Sequence, residues 1–106
     1  MYMVEMTHEV KSSLPGRPSV AILAGFHGSQ HSGPEIVMDF IQDLLQHVNG
    51  SRIQKLLKRV KIFAMPIVNP DSFEGGTPES SRFCDRRGGS WFNLHGVDLA
   101  FDYASA

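Results

Sequence analysis

The sequence predicts an α/β fold built on a strand–helix–strand unit, and three observations carry that expectation. Ser19-Val20-Ala21-Ile22-Leu23-Ala24-Gly25-Phe26 is a short, nearly continuous apolar run, and so is Val60-Lys61-Ile62-Phe63-Ala64-Met65-Pro66-Ile67-Val68. Strands covered on both faces read this way, because neither face alternates with solvent. Between the two runs, Ile36, Val37, Phe40, Ile41, Leu44, Leu45 and Val48 recur as one helical stripe. Two strands joined by a crossover of this length form a right-handed parallel unit. Residues 20–26 and 61–68 are therefore the expected central strands, with the helix over 34–48 packed on one face.

The remaining elements follow in chain order. Residues 2–10 alternate loosely and read as a further strand, ended by a Ser/Pro/Gly turn region over 11–18. A polar, glycine-rich loop covers 27–33. The helix start carries Ser32 as candidate N-cap, Pro34 in the first turn and Glu35 as a capping-box acid, and Asn49-Gly50 marks its end. Ile53, Leu56 and Leu57 keep helical spacing in a short basic stretch. The second buried run breaks at Asn69-Pro70-Asp71. Residues 74–90 read as a long surface loop, and 97–103 as a last short apolar stretch. No internal repeat is present. A parallel sheet needs helices on both faces, and one long helix with one short one is too small a supply. The chain is expected to be a marginal fragment or to be completed by a partner.

Composition narrows the function classes. At 106 residues with 42% hydrophobic content the chain has the size of one globular domain, 1–106, and a thin stability margin. Net charge is −1, so the overall balance gives no reason to expect nucleic acid or an anionic membrane as partner. No apolar run approaches a membrane span, and no signal peptide is visible at the start. The single cysteine, Cys84, has no internal disulfide partner. Asn49-Gly50-Ser51 matches the N-glycosylation acceptor pattern, which matters only in the secretory pathway.

Ligands in open α/β sheets bind beyond the carboxyl end of a strand, and there the chain reads His27-Gly28-Ser29-Gln30-His31. Four blocks, in order, share this character: Ala24-Gly25-Phe26-His27-Gly28-Ser29-Gln30, Gly33-Pro34-Glu35, Met65-Pro66-Ile67-Val68-Asn69-Pro70-Asp71-Ser72-Phe73-Glu74, and Gly96-Val97-Asp98-Leu99. Together they resemble the zinc metallocarboxypeptidases, most of all the regulatory subfamily of carboxypeptidases E, N, D and M. That family carries Gly-x-His-Gly-Asn-Glu, Gly-Arg-Glu, Pro-x-x-Asn-Pro-Asp-Gly-Phe/Tyr-Glu and Gly-x-Asp-Leu-Asn-Arg-Asn-Phe. The resemblance covers essentially the whole chain and about the first half to two-thirds of a family catalytic domain. It implies a mixed, phosphorylase/hydrolase-like sheet with helices on its faces, zinc as cofactor, and removal of C-terminal residues such as Lys or Arg from peptides. It also implies a partner with a free C-terminus and a secretory or extracellular location.

The departures from the family pattern shape the functional expectation. The first zinc ligand is kept as His27, but the glutamate position is Gln30, whose amide oxygen brings neither the charge nor the affinity of a carboxylate. His31 or Glu35 are the alternatives within reach. A water-activating zinc needs three protein ligands, and the family's third ligand and general base fall further along than residue 106. Weak or absent zinc binding is expected. The asparagine and arginine that grip a terminal carboxylate are replaced by Ala100 and Phe101, so the planar fork that pairs bidentately is gone. Trp91 stands at the oxyanion arginine, with Arg86 or Arg87 as substitutes if the loop shifts. Cys84 falls where several relatives carry a cysteine paired later in the domain. No residue is assigned as catalytic. The expectation is a carboxypeptidase-like domain that serves as a binding or scaffold module. The alternatives are an enzyme whose remaining residues lie elsewhere, or a truncated product without activity.

Overall fold

The computed structural model describes residues 1–9, 16–28, 30–74, 93 and 95–100. Its elements are β1 Val4–Met6, β2 Ser19–Leu23, α1 Ser32–Gln46, α2 Ser51–Arg59, β3 Lys61–Met65 and α3 Pro70–Glu74. The strands form a mixed three-stranded sheet in the order β1-β3-β2. β2 runs parallel to β3 in a register that sets Ala21 beside Phe63, and β1 runs antiparallel to β3 with Glu5 beside Phe63. The expected α/β character, the parallel pair and the crossover helix are all present.

Only β3 is central. β2 was expected inside the sheet but lies at an edge of the described residues, and four of its five residues are exposed. An apolar run records that a strand is fit to be covered; it does not say which face this chain covers. The helical stripe divides in the same way. Val37, Ile41 and Leu44 are each 5% exposed, whereas Ile36 is 67% and Leu45 60% exposed. The buried half joins Met6, Ala24, Leu57, Ile62 and Ala64 in one core, with Ile22, Phe40, Ile53 and Val60 at its margin.

The start of α1 differs from the expected capping box. His31 already has helical dihedrals and is the cap, with no side-chain cap hydrogen bond, and the Glu35 amide donates to the His31 carbonyl at 3.2 Å. The helix thus begins earlier than residue 34, which moves Ser32 inside the first turn and Glu35 beyond the capping-box position. Pro34 still falls among the first amides, which have no partner within the helix, so its missing N–H costs nothing. At the other end of the chain's core, the exposed carbonyls of α2 find partners on the end of β1. The Leu57 carbonyl accepts from the His8 amide at 3.0 Å, and Thr7 Oγ1 lies 3.2 Å from it and from the Val60 carbonyl. Arg17 donates to Thr7 Oγ1 and to the His8 carbonyl, which ties the segment before β2 to the same junction.

If α1 is held by one face, two isoleucines on it have different worth. Ile41→Ala is expected to lower stability by about 2–5 kcal/mol, the range for emptying a buried aliphatic site. Ile36→Ala should change it by less than about 0.5 kcal/mol. Urea unfolding of the two variants measures the difference; equal losses would contradict the one-sided packing.

Candidate metal-histidine site

The parallel pairing of β2 and β3 continues past the strands and delivers the His27 loop. The Ala24 amide donates to Met65, the Val68 amide to Ala24 and the Asn69 amide to Gly25, all at 2.9–3.0 Å. Gly25 makes this close approach possible. It has φ of +68°, and a Cβ there would lie 2.7 Å from the Pro66 carbonyl oxygen, so a side chain is excluded by both conformation and contact.

Asn69-Pro70-Asp71 was expected to break the strand, and it does so by starting a helix. Asn69 Oδ1 accepts from the Ser72 amide at 3.3 Å, the N-cap arrangement, with Pro70 in the first position where its fixed φ suits a helix. The Asn69 Nδ2 donates to the Phe26 carbonyl at 3.0 Å. Ser72 Oγ accepts from the Gly28 amide at 2.8 Å. Asn69 and Ser72 are both 0% exposed. The two side chains therefore clamp the backbone on either side of His27. Gly28 is required by that clamp, because a Cβ would fall 1.9 Å from the Ser72 carbonyl oxygen.

His27 is buried, at 8% exposure, and its Nε2 lies 3.2 Å from Asp98 Oδ1. Asp98 arrives on a turn closed by Asn93. The Asn93 Oδ1 accepts the amides of His95 and Val97, and Asp98 Oδ1 also accepts the Ala100 amide at 3.0 Å. A carboxylate on one ring nitrogen fixes the tautomer and the ring orientation, as it does for metal-binding histidines. Reading the motifs one at a time missed Asp98 as a partner of His27. The signal was present, since an oriented histidine calls for a carboxylate and Asp98 lay in a block already singled out. Asn69 could likewise have been read as a cap from the proline that follows it.

Gln30, His31, Glu35 and Ala100 are the other expected site residues among those described. Gln30 is exposed and is tied to the loop through its backbone, its amide donating to the His27 carbonyl at 3.1 Å. An open depression at the carboxyl end of β2 is lined by Leu23, Gly25, Phe26, Gln30 and His31, with His27 outside it. His31 sets its ring edge-on to Phe73, with centroids 5.1 Å apart. Glu35 and Ala100 are exposed. Trp91, Phe101, Cys84, Arg86 and Arg87 lie outside the described residues. Among the described residues no three His, Cys, Asp or Glu side chains come together. One oriented histidine and an exposed amide do not meet the three-donor requirement of a water-activating zinc, so the described residues by themselves do not fit that cofactor.

Comparison with known proteins adds the family context. Residues 1–104 match the family described as zinc carboxypeptidase. The chain is similar to carboxypeptidase D of Anas platyrhynchos, with 29% identity across 99% of this chain and 7% of that protein. It is similar to carboxypeptidase E of Caenorhabditis elegans, with 30% identity across 85% of this chain and 19% of that protein. A third relative is carboxypeptidase Z of Rattus norvegicus, 32% identical across 68% of this chain and 12% of that protein. The chain spans less than a fifth of the length of each of these relatives.

The clamp makes a local prediction. Ser72→Ala leaves the buried Gly28 amide without its hydroxyl acceptor and is expected to cost about 1–3 kcal/mol. Amide exchange at Gly28 should accelerate beyond the change seen at β3 amides. Unchanged protection at Gly28 would show that the hydroxyl does not hold this loop.

Proposed function

Because the chain belongs to the zinc carboxypeptidase family, and to its regulatory subfamily, we propose that it is a non-catalytic member acting as a binding or scaffold module for peptides, held by contacts other than a clamp on the terminal carboxylate. One observation carries the reading. The framework around His27 is intact down to individual hydrogen bonds from Asn69, Ser72 and Asp98, while the second metal position holds the exposed amide Gln30. Ala100 and Phe101 at the carboxylate-gripping positions and Trp91 at the oxyanion position support the same reading, since a phenyl or indole ring offers no bidentate donor to an anion. A chain that holds its positioning groups and replaces the second ligand and the clamp is built for shape more than for chemistry. The family resemblance supports a secretory or extracellular location for such a module, where Asn49 would be an acceptor for N-linked glycan.

The enzyme reading rests on the His27–Asp98 pair, which is the orientation a working metal ligand needs. It requires the remaining donors and the general base to come from outside these residues. Activity separates the two readings, because a metal-bound water, a base and an oxyanion donor act together and their losses do not add.

Incubation of the protein and zinc with a peptide ending in arginine is expected to release no free arginine above a His27→Ala control. Release above that control would overturn the non-catalytic reading. Gln30→Glu should tighten zinc binding in calorimetry without creating activity. In that background Asp98→Ala is expected to weaken zinc by about 10- to 100-fold, as loss of an orienting carboxylate does.

A further inference from the structure

The whole-chain charge of −1 averages over a segregation that the fold makes visible. α2 reads Ser-Arg-Ile-Gln-Lys-Leu-Leu-Lys-Arg, with four cations and no acid. Leu57 is buried and Ile53 half-buried toward the core, while Arg52, Lys55, Lys58 and Arg59 are exposed. At 100° per residue, Arg52, Lys55, Leu56 and Arg59 share one outward arc. Helix stability explains only part of this. Lys58 and Arg59 in the last turn complement the negative end of the helix dipole, but Arg52 stands in the first turn, where a cation is disfavoured. Among the described residues none of the four is paired with a carboxylate.

Beside this face runs a shallow groove between α1 and α2, floored by Phe40, Leu44, Ile53 and Leu56 with Arg52 at its rim. Leu56 is 41% exposed. The acid on the opposite rim, Asp43, sits 3.1 Å from His47 Nδ1 on its own helix. Unpaired cations next to open aliphatic surface call for an anionic group joined to an apolar chain. We infer that the outward face of α2 and the α1–α2 groove dock the chain on an anionic phospholipid surface, with phosphates on Arg52, Lys55 and Arg59 and acyl carbons against Leu56. A soluble polyanion would satisfy the cations and leave the groove and Leu56 in water, so the lipid is the better fit. No helix among the described residues is long and apolar enough to cross a membrane, which makes this contact peripheral. Cations near an anionic leaflet contribute about 1 kcal/mol each, and the aliphatic contact adds to them.

Sedimentation of the full chain with vesicles tests the assignment. It should pellet with phosphatidylcholine vesicles containing phosphatidylserine, remain in solution with phosphatidylcholine alone, and release as salt is raised. Arg52→Gln, Lys55→Gln and Arg59→Gln should each weaken binding roughly fivefold, whereas Lys55→Arg should retain it. Leu56→Gln, which leaves charge unchanged, should weaken vesicle binding but not binding to heparin, a soluble polyanion. Circular dichroism of each variant confirms that these exposed positions leave the fold in place. Failure of the unmodified chain to pellet with the anionic vesicles overturns the proposal. Vesicle binding indifferent to Leu56→Gln assigns the face to polyanions in general and overturns the lipid contact.

Discussion

One buried side-chain amide organises the functional end of this molecule. Asn69 uses its oxygen to begin α3 and its nitrogen to hold the Phe26 carbonyl, so a helix cap and a loop anchor are the same group. Neither bond could be replaced by water, since Asn69 is fully buried, and an unmet amide there would carry the full desolvation penalty. Ser72 repeats the device one helical turn on, with its hydroxyl on the Gly28 amide. His27 is thus fixed by its neighbours' backbone before its ring meets any partner. The glycines at 25 and 28 are consequences of the same constraint: chains drawn this close leave no room for a Cβ.

That constraint explains which parts of the family pattern can be lost independently. Residues that hold the loop are coupled through shared hydrogen bonds, and removing one strands the others. Gln30, on the solvent side of the loop, and Ala100, after the Asp98 turn, bear no such load. Exchanging them alters what the site can bind while the scaffold stays folded. Framework and chemistry are separable here because the exchanged side chains at 30 and 100 are exposed, whereas Asn69 and Ser72 are buried.

Much of the fold was legible in the sequence because strands and helices announce themselves through local periods. The parallel pair and α1 follow from runs and spacings within a few residues. What was not legible depended on context. The edge position of β2, the exposure of Ile36 and Leu45, and the early start of α1 are set by which neighbours cover a surface, and a residue's own type does not record that. The candidate site divides the same way. His27 stood out by its loop and its block, whereas its bond to Asp98 spans 71 positions and is visible only once the chain has folded back. The basic character of α2 was legible in the sequence, whereas the outward face its cations share is seen only in the fold.

The long reach from His27 to Asp98 has a consequence for the order in which the molecule is assembled during synthesis. The sheet, the core and the Asn69–Ser72 clamp draw only on residues up to 74. Among the described residues these contacts are complete before the turn that carries Asp98. The ring of His27 acquires its carboxylate later, when the turn at 93–98 arrives and pays the closure entropy of a long loop. Until that turn is in place, the histidine ring lacks the carboxylate that orients it.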